Sequence, residues 1–414
     1  MARRTTVKRP ARSAESAARP ELTSLRPRFP ILRRYDYLIN NSLGAMPRAT
    51  YAALKEYADS WASRGVLAWD DWLPMVTEAG DRVGRLIGAP PGSLMMHQNV
   101  STLLAIVLSS LDYERRPKLV STDLEFPSLL YNLHEQERRG ARVEIVPTRD
   151  GLLVDEERVA AAIDDRTALV CLDLVLFRSS GIVDVRPIVE AAHRHGALVL
   201  LDVYQAIGAV PIDVRELGVD VVVGGSVKWL CGGPGACYLH VAEEARRRLR
   251  PMATGWFSHK RPFAFELGPV EPAEDMHRFM GGSPAVPALY AARAGHELVA
   301  EVGVRRIRER SLRLTQRIID GADAQGLSVN TPRAPSRRGG TVCVDFEGAN
   351  VAHDLLIEQK ILIDYRPRCG IRLSPHFYNT EAECDRALEA IREIRASATF
   401  RRRRRETRPA QARR

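Results

Sequence analysis

The stretch LLDVYQAIGAVPIDVRELGVDVVVGGSVKWLCGGPG, residues 200–235, gathers residue types that can do chemistry. Asp202 closes an apolar run. A buried strand there would carry its carboxylate to the C-terminal edge of a sheet, where open α/β folds present groups to ligands. Lys228 follows a second such run inside Gly224-Gly225-Ser226-Val227-Lys228, and the glycines at 232, 233 and 235 let the backbone approach whatever the lysine holds. An ammonium between apolar strands is costly unless it is paired or neutral, and a neutral lysine condenses with an aldehyde to give a Schiff base. A strand-end acid, Gln205 three residues on, and a lysine in a Gly/Ser turn are what a pyridoxal 5'-phosphate (PLP) site needs. The acid keeps a pyridine nitrogen protonated and the lysine carries the aldehyde. Taken singly, Asp202 could cap a helix and Gln205 could sit on the surface.

Two further segments offer contacts to such a group. Ser101 and Thr102 open the apolar stretch NVSTLLA, where a helix N-terminus suits either an anion or a simple cap. Phe126-Pro127-Ser128 follows an extended run, and the Phe126 ring could equally pack in the core.

With these residues in view, the lysine stretch resembles the class V aminotransferases of PLP fold type I, a superfamily that includes cysteine desulfurases and kynureninase. The resemblance implies a PLP-dependent enzyme acting on an L-amino acid. It makes Lys228 and Asp202 the catalytic pair, with Lys228 bonded to the cofactor and Asp202 on its ring nitrogen. Gln205 would contact the ring oxygen, Ser226, Ser101 and Thr102 the phosphate, and Phe126 the ring face, with Ser128 beside it. Outside the lysine stretch, Asn40-Asn41-Ser42-Leu43-Gly44, Phe126-Pro127-Ser128, Gly255-Trp256-Phe257-Ser258-His259, Gly282-Ser283-Pro284 and Gly370-Ile371-Arg372-Leu373-Ser374-Pro375 look like kynureninase motifs. That likeness implies substrate contacts from Asn41 and Ser42, and Arg372 forked onto the α-carboxylate, a task for planar bidentate geometry. It also implies a homodimer with shared sites, in which Trp256 and Ser283 reach the other subunit's cofactor phosphate. The expected reaction is hydrolysis of a Cβ–Cγ bond with release of alanine.

The chain departs from kynureninase at three places. Val227 stands where that family has a tyrosine, Leu129 where it has an aspartate, and residues 60–72 contain no histidine. A class V aminotransferase, epimerase or lyase on a specialised amino acid also fits these changes. A cysteine desulfurase fits less well, because it needs a thiol on a mobile loop. Cys369 lies only three residues before Arg372.

The elements that must position these groups follow from the same text. Near-continuous apolar runs at 168–177, 197–203 and 219–225, with helical segments between the first and second, predict an α/β domain built on a mainly parallel sheet sandwiched by helices. The expected organisation is a basic disordered leader over 1–30, an N-terminal segment with the large PLP-binding domain over 31–285, a small α+β domain over 286–398, and a disordered arginine-rich tail over 399–414. The 414 residues, 45% hydrophobic and 27% charged, match an ordinary globular chain and exclude a fibrous repeat or wholesale disorder. The net charge of +10 lies in the ends, +6 over 1–30 and +7 over 400–414, leaving −3 on the body. No aromatic interrupts Arg401 to Arg405, so the ends read as solvated tails rather than a nucleic-acid tether. No signal-peptide core follows Arg3-Arg4 and no run reaches bilayer length, which predicts a cytoplasmic protein without membrane contact. Six scattered cysteines lack zinc spacing and predict reduced thiols and no metal.

Overall fold

The computed structural model describes residues 21–406. A seven-stranded sheet runs in the spatial order Leu94–His97, Cys237–Val241, Val221–Gly225, Leu198–Asp202, Thr167–Asp173, Lys118–Thr122, Arg142–Val146. The last five strands are parallel, and Cys237–Val241 runs against both its neighbours. Every residue of the three central strands is buried, as Val/Leu-rich runs covered by helices on both faces require. The α/β expectation holds, with two antiparallel strands added at one edge. The run at 168–177 is not one strand, however. Its ladder ends at Asp173, which lies in register beside Asp202, and beyond it Val175 makes only an isolated bridge to Ile182. Two acids therefore end neighbouring strands on the same edge of the sheet.

A second unit holds an antiparallel four-stranded sheet in the order Asp364–Arg366, Gly370–Leu373, Val342–Asp345, Ser328–Val329. Helices Val304–Ala324, Ala349–Glu358 and Glu381–Ala396 pack on it around one apolar cluster. The last of these begins in a capping box: Thr380 accepts from the Glu383 N–H, and the Glu383 carboxylate accepts from the Thr380 N–H.

Three boundaries differ from the sequence expectation. Helix Val286–Val302, assigned to the small domain, buries Val286, Leu289, Tyr290, Leu298 and Val299 in the same apolar cluster as the large sheet. The leader is ordered from residue 21: Leu22 and Leu25 of the 3-10 helix Leu22–Arg28 are buried, and Arg26 binds the Glu383 carboxylate at 2.7 Å. The expected tail is helical over Ala398–Glu406, because Phe400, 4% exposed, seats against Phe346. Residues 1–20 and 407–414, the remainder of both expected tails, lie outside the described residues. Among the described residues no helix is long and apolar enough to cross a membrane, no side-chain cluster could hold a metal ion, and all six cysteines are free and buried.

Candidate active site

The carboxyl edge of the large sheet opens into a cavity of about 270 Å³. Asp202 enters it from the end of its strand, buried, with Oδ1 accepting the Tyr204 N–H at 2.7 Å. Burial pushes its carboxyl up to about 6, against the pull of that N–H and of the Lys228 charge. Lys228 enters from the turn after Val221–Gly225, its Nζ 4.4 Å from the Tyr204 ring centroid and 5.7 Å from that of Phe126. Burial draws its amine down to about 8, opposed by the Asp202 charge and helped by that of Arg372. An amine so placed is neutral often enough near neutral pH to act as a nucleophile. The double glycine before it has a steric reason, since a Cβ on Gly225 would lie 2.6 Å from the Tyr204 ring.

Around this pair the structure gathers most of the expected residues. Gln205 lines the cavity with its amide held on both sides: Nε2 donates to the Asn41 carbonyl at 2.9 Å, and the Trp229 indole donates to Oε1 at 3.1 Å. Ser101 and Ser128 line it near the starts of helices Val100–Ser109 and Pro127–Glu135. The Phe126 ring borders it, set edge-on to Phe177 at 5.2 Å. Asn41 is 2% exposed, and neither of its side-chain polar atoms has a partner. Arg372 is 3% exposed; one terminal nitrogen donates to the Phe177 carbonyl at 2.7 Å, the other to Asp364, and Nε has no partner.

Other expected residues are not brought there. Ser226 turns the opposite way: its hydroxyl lies 2.7 Å from Nε2 of buried His296 on helix Val286–Val302, an imidazole that burial pushes down to about 3. Both the N–H and the hydroxyl of Thr102 go to the Oδ1 of Asn99, so it completes a helix cap rather than an anion site. Ser42 lines a separate apolar groove with Leu43, Met46 and the backbone at 232–234. Trp256 and Ser283 are exposed on the outer surface, where Trp256 stacks with Phe265 at 5.9 Å, and neither lines the cavity of its own chain.

Three residues, Tyr204, Asp173 and Glu125, are absent from the sequence expectation, and a fourth, Asp364, belongs to the stretch Ile363-Asp364-Tyr365-Arg366 that looks like a kynureninase motif without a role assigned to it. Tyr204 floors the lysine, Asp173 lines the cavity, Glu125 accepts the Asp173 backbone N–H, and Asp364 anchors Arg372. Asp173 ends its strand as Asp202 does, the one signal that would have found it; the unbroken apolar lettering around it concealed that end.

The donor set suits PLP: a lysine of depressed basicity, a strand-end acid facing it, aromatic walls, and buried polar atoms on Asp173 and Asn41 that no protein group satisfies. The aminotransferase class-V family profile matches residues 37–387. The chain belongs to that family. Among relatives, it is 32% identical over 365 residues to the uncharacterized aminotransferase YcbU of Bacillus subtilis, covering 88% of this chain and 95% of the relative. It is 29% identical over 376 residues to a kynureninase of Shouchella clausii, covering 86% and 88% of the two chains. Among solved structures, the apo cysteine desulfurase of Thermococcus onnurineus superposes with a TM-score of 0.82 at 22% identity, covering 92% of this chain and 99% of that one. A C-DES variant with glycine covalently linked to its PLP cofactor gives 0.81 at 21%, covering 88% and 98%. These likenesses establish PLP fold type I. This class V enzyme uses pyridoxal phosphate and acts on small amino-acid substrates.

Proposed function

We propose that this class V enzyme cleaves the Cβ–Cγ bond of an L-amino acid hydrolytically, as kynureninases do, and releases alanine. The observation that carries the reading is the arrangement of Phe126, Lys228 and Asp202 around a cavity walled by Leu104, Leu129, Val175 and Phe177, which suits an aromatic side chain, with Arg372 held on the Phe177 carbonyl. The 29% identity over most of a kynureninase supports it. Arg372 binds the substrate carboxylate through N–H groups left free beside Asp364 and Phe177, with Nε buried and without a partner in the protein. Lys228 takes the α-proton at Nζ and Asp202 holds the proton at the ring nitrogen. When bound, PLP supplies an electron sink for the charge left at the substrate Cα. The Tyr204 and Phe126 rings flank the lysine amine, their centroids 4.4 Å and 5.7 Å from Nζ. We also propose a homodimer in which Trp256 and Ser283 complete the other copy's site.

Cys369 speaks against a desulfurase. It is 1% exposed and its thiol donates to the Arg178 carbonyl at 3.1 Å, and its hydrogen bond with the Cys343 thiol, together with burial, raises its pKa. A thiol that must attack substrate sulfur needs mobility and access. A class V transamination is the second reading, favoured by Leu129, an apolar wall of the cavity where kynureninases carry an aspartate.

The test adds L-kynurenine or 3-hydroxy-L-kynurenine to the PLP-loaded enzyme and follows the anthranilate product with alanine. Equimolar products are expected, and none with Lys228→Ala. Turnover that depends on an added 2-oxo acid and leaves the carbon chain whole would replace hydrolysis with transamination.

A further inference from the structure

We propose that Asp173 is a second acid of the cofactor cavity: carrying a proton, it holds the Phe126 N–H through Oδ2 and donates from Oδ1 to an acceptor oxygen of bound PLP. The inference rests on the cofactor and holds whichever substrate bond is broken.

The geometry points to one partner missing from the protein. Asp173 is buried at the end of Thr167–Asp173, directly beside Asp202. Its Oδ2 accepts the Phe126 N–H at 3.0 Å; Asp173 lines the cavity, and its Oδ1 is buried with no partner. Buried polar atoms of native proteins are satisfied, so an orphan on a residue that lines a ligand cavity marks a contact that the ligand completes.

Charge decides which form Asp173 takes. The groups facing it are Asp202 from the neighbouring strand, Glu125 from the turn before helix Pro127–Glu135, and Lys228 from the turn after Val221–Gly225. Three carboxyl groups share one amine within an apolar enclosure, and they cannot all be ionised. Asp202 is needed as an anion at the ring nitrogen. Glu125 is already engaged by the Thr122 hydroxyl and the Asp173 N–H. Burial and both neighbouring acids raise Asp173 well above the usual carboxylate range. A protonated carboxyl contributes an O–H donor, and no polar side chain of the cavity makes a hydrogen bond with Oδ1. PLP, with a ring oxygen and phosphate oxygens, supplies an acceptor.

The experiment is infrared difference spectroscopy, PLP-loaded minus PLP-free, on wild type and Asp173→Asn, with PLP dissociation constants for both and for Asp173→Ala. In wild type the C=O stretch of a protonated carboxyl is expected to shift when PLP binds, and Asp173→Asn removes that feature. The asparagine keeps an acceptor for Phe126 and an N–H donor for PLP, so its affinity stays within about threefold of wild type. Asp173→Ala loses both contacts and about tenfold or more in affinity. Because Asp173→Ala also frees Phe126, the infrared feature, which a purely structural role would leave unmoved, separates the two roles. A difference spectrum unaltered by Asp173→Asn, or an Asp173→Ala variant that binds PLP as tightly as wild type, overturns the proposal.

Discussion

Arg372 reaches the site already gripped by the Phe177 carbonyl and by Asp364, which also pairs with Arg366 at 2.6 Å. A buried guanidinium between fixed acceptors keeps its plane, so its free N–H edge is pre-oriented for a carboxylate. A lysine offers one compact ammonium with no such plane. Arg372→Lys is therefore expected to lower kcat/KM for the amino-acid substrate about 100-fold, mainly through KM, while PLP uptake measured by absorbance stays at the wild-type level. A variant with wild-type KM would remove Arg372 from carboxylate binding. Single residues were unevenly legible. Asp202, Gln205 and Lys228 could be read because an acid or amine beside an apolar strand needs a reason, and their spacing is distinctive. Ser226 could not, because the turn Gly224 to Lys228 aims successive side chains by backbone angles that the letters do not encode; the hydroxyl faces His296. Asn41 entered as an expected substrate contact only through resemblance, and its orphaned amide is visible only in three dimensions.

The strands and helices were easier to read than their ends. The parallel strands followed from their Val/Leu runs, whereas Leu94–His97 is four residues long, too short for any period to declare itself. Phe400 gives the C-terminal helix its anchor: it packs on Phe346, and a Cβ at Gly348 would stand 2.8 Å from its ring. The polyarginine lettering hides this single apolar contact. Phe400→Ala is expected to cost the small unit about 3 kcal/mol, read as a lower urea midpoint, and an unchanged midpoint would mean that the helix contributes no stability. The turn before helix Pro127–Glu135 makes a different demand. Burial pushes the Glu125 carboxyl up to about 8 from its usual 4.5, with the Asp202 charge adding to the rise. The folded chain then holds a proton that the unfolded chain releases above about 4.5, so this stabilisation is complete below that pH and is lost as pH rises through 8. The cofactor-free wild type should lose urea stability between pH 5 and 8.5, and Glu125→Gln should flatten that loss by an amount on the order of a few kcal/mol. Identical pH slopes for the two proteins would show that Glu125 is ionised in the folded state.

At the scale of the whole molecule, the described residues expose clustered apolar side chains. Trp256, Phe263 and Phe265 form one patch, with Phe265 68% exposed, and Leu43, Met46 and Leu54 border the apolar groove against residues 232–234. Contiguous apolar patches of this kind mark association sites. Trp256 and Ser283, which we propose complete the other copy's site, are exposed and do not line the cavity of their own chain. In a two-fold dimer each residue of one copy is offered to the other by the same operation, so a patch holding Trp256 and Ser283 would close the neighbouring cavity and have its own closed in return. Mixing two variants tests this. Lys228→Ala homodimers and homodimers carrying Trp256→Ala with Ser283→Ala are unfolded together, refolded with PLP and assayed. If the sites are shared, random pairing makes about half of the dimers mixed, and each mixed dimer holds one site with every residue intact, so about a quarter of wild-type activity returns. If each chain is self-sufficient, the protein carrying Trp256→Ala with Ser283→Ala keeps its own site and is active before mixing, and mixing it with Lys228→Ala adds nothing, which leaves the exposed aromatics a role in association alone.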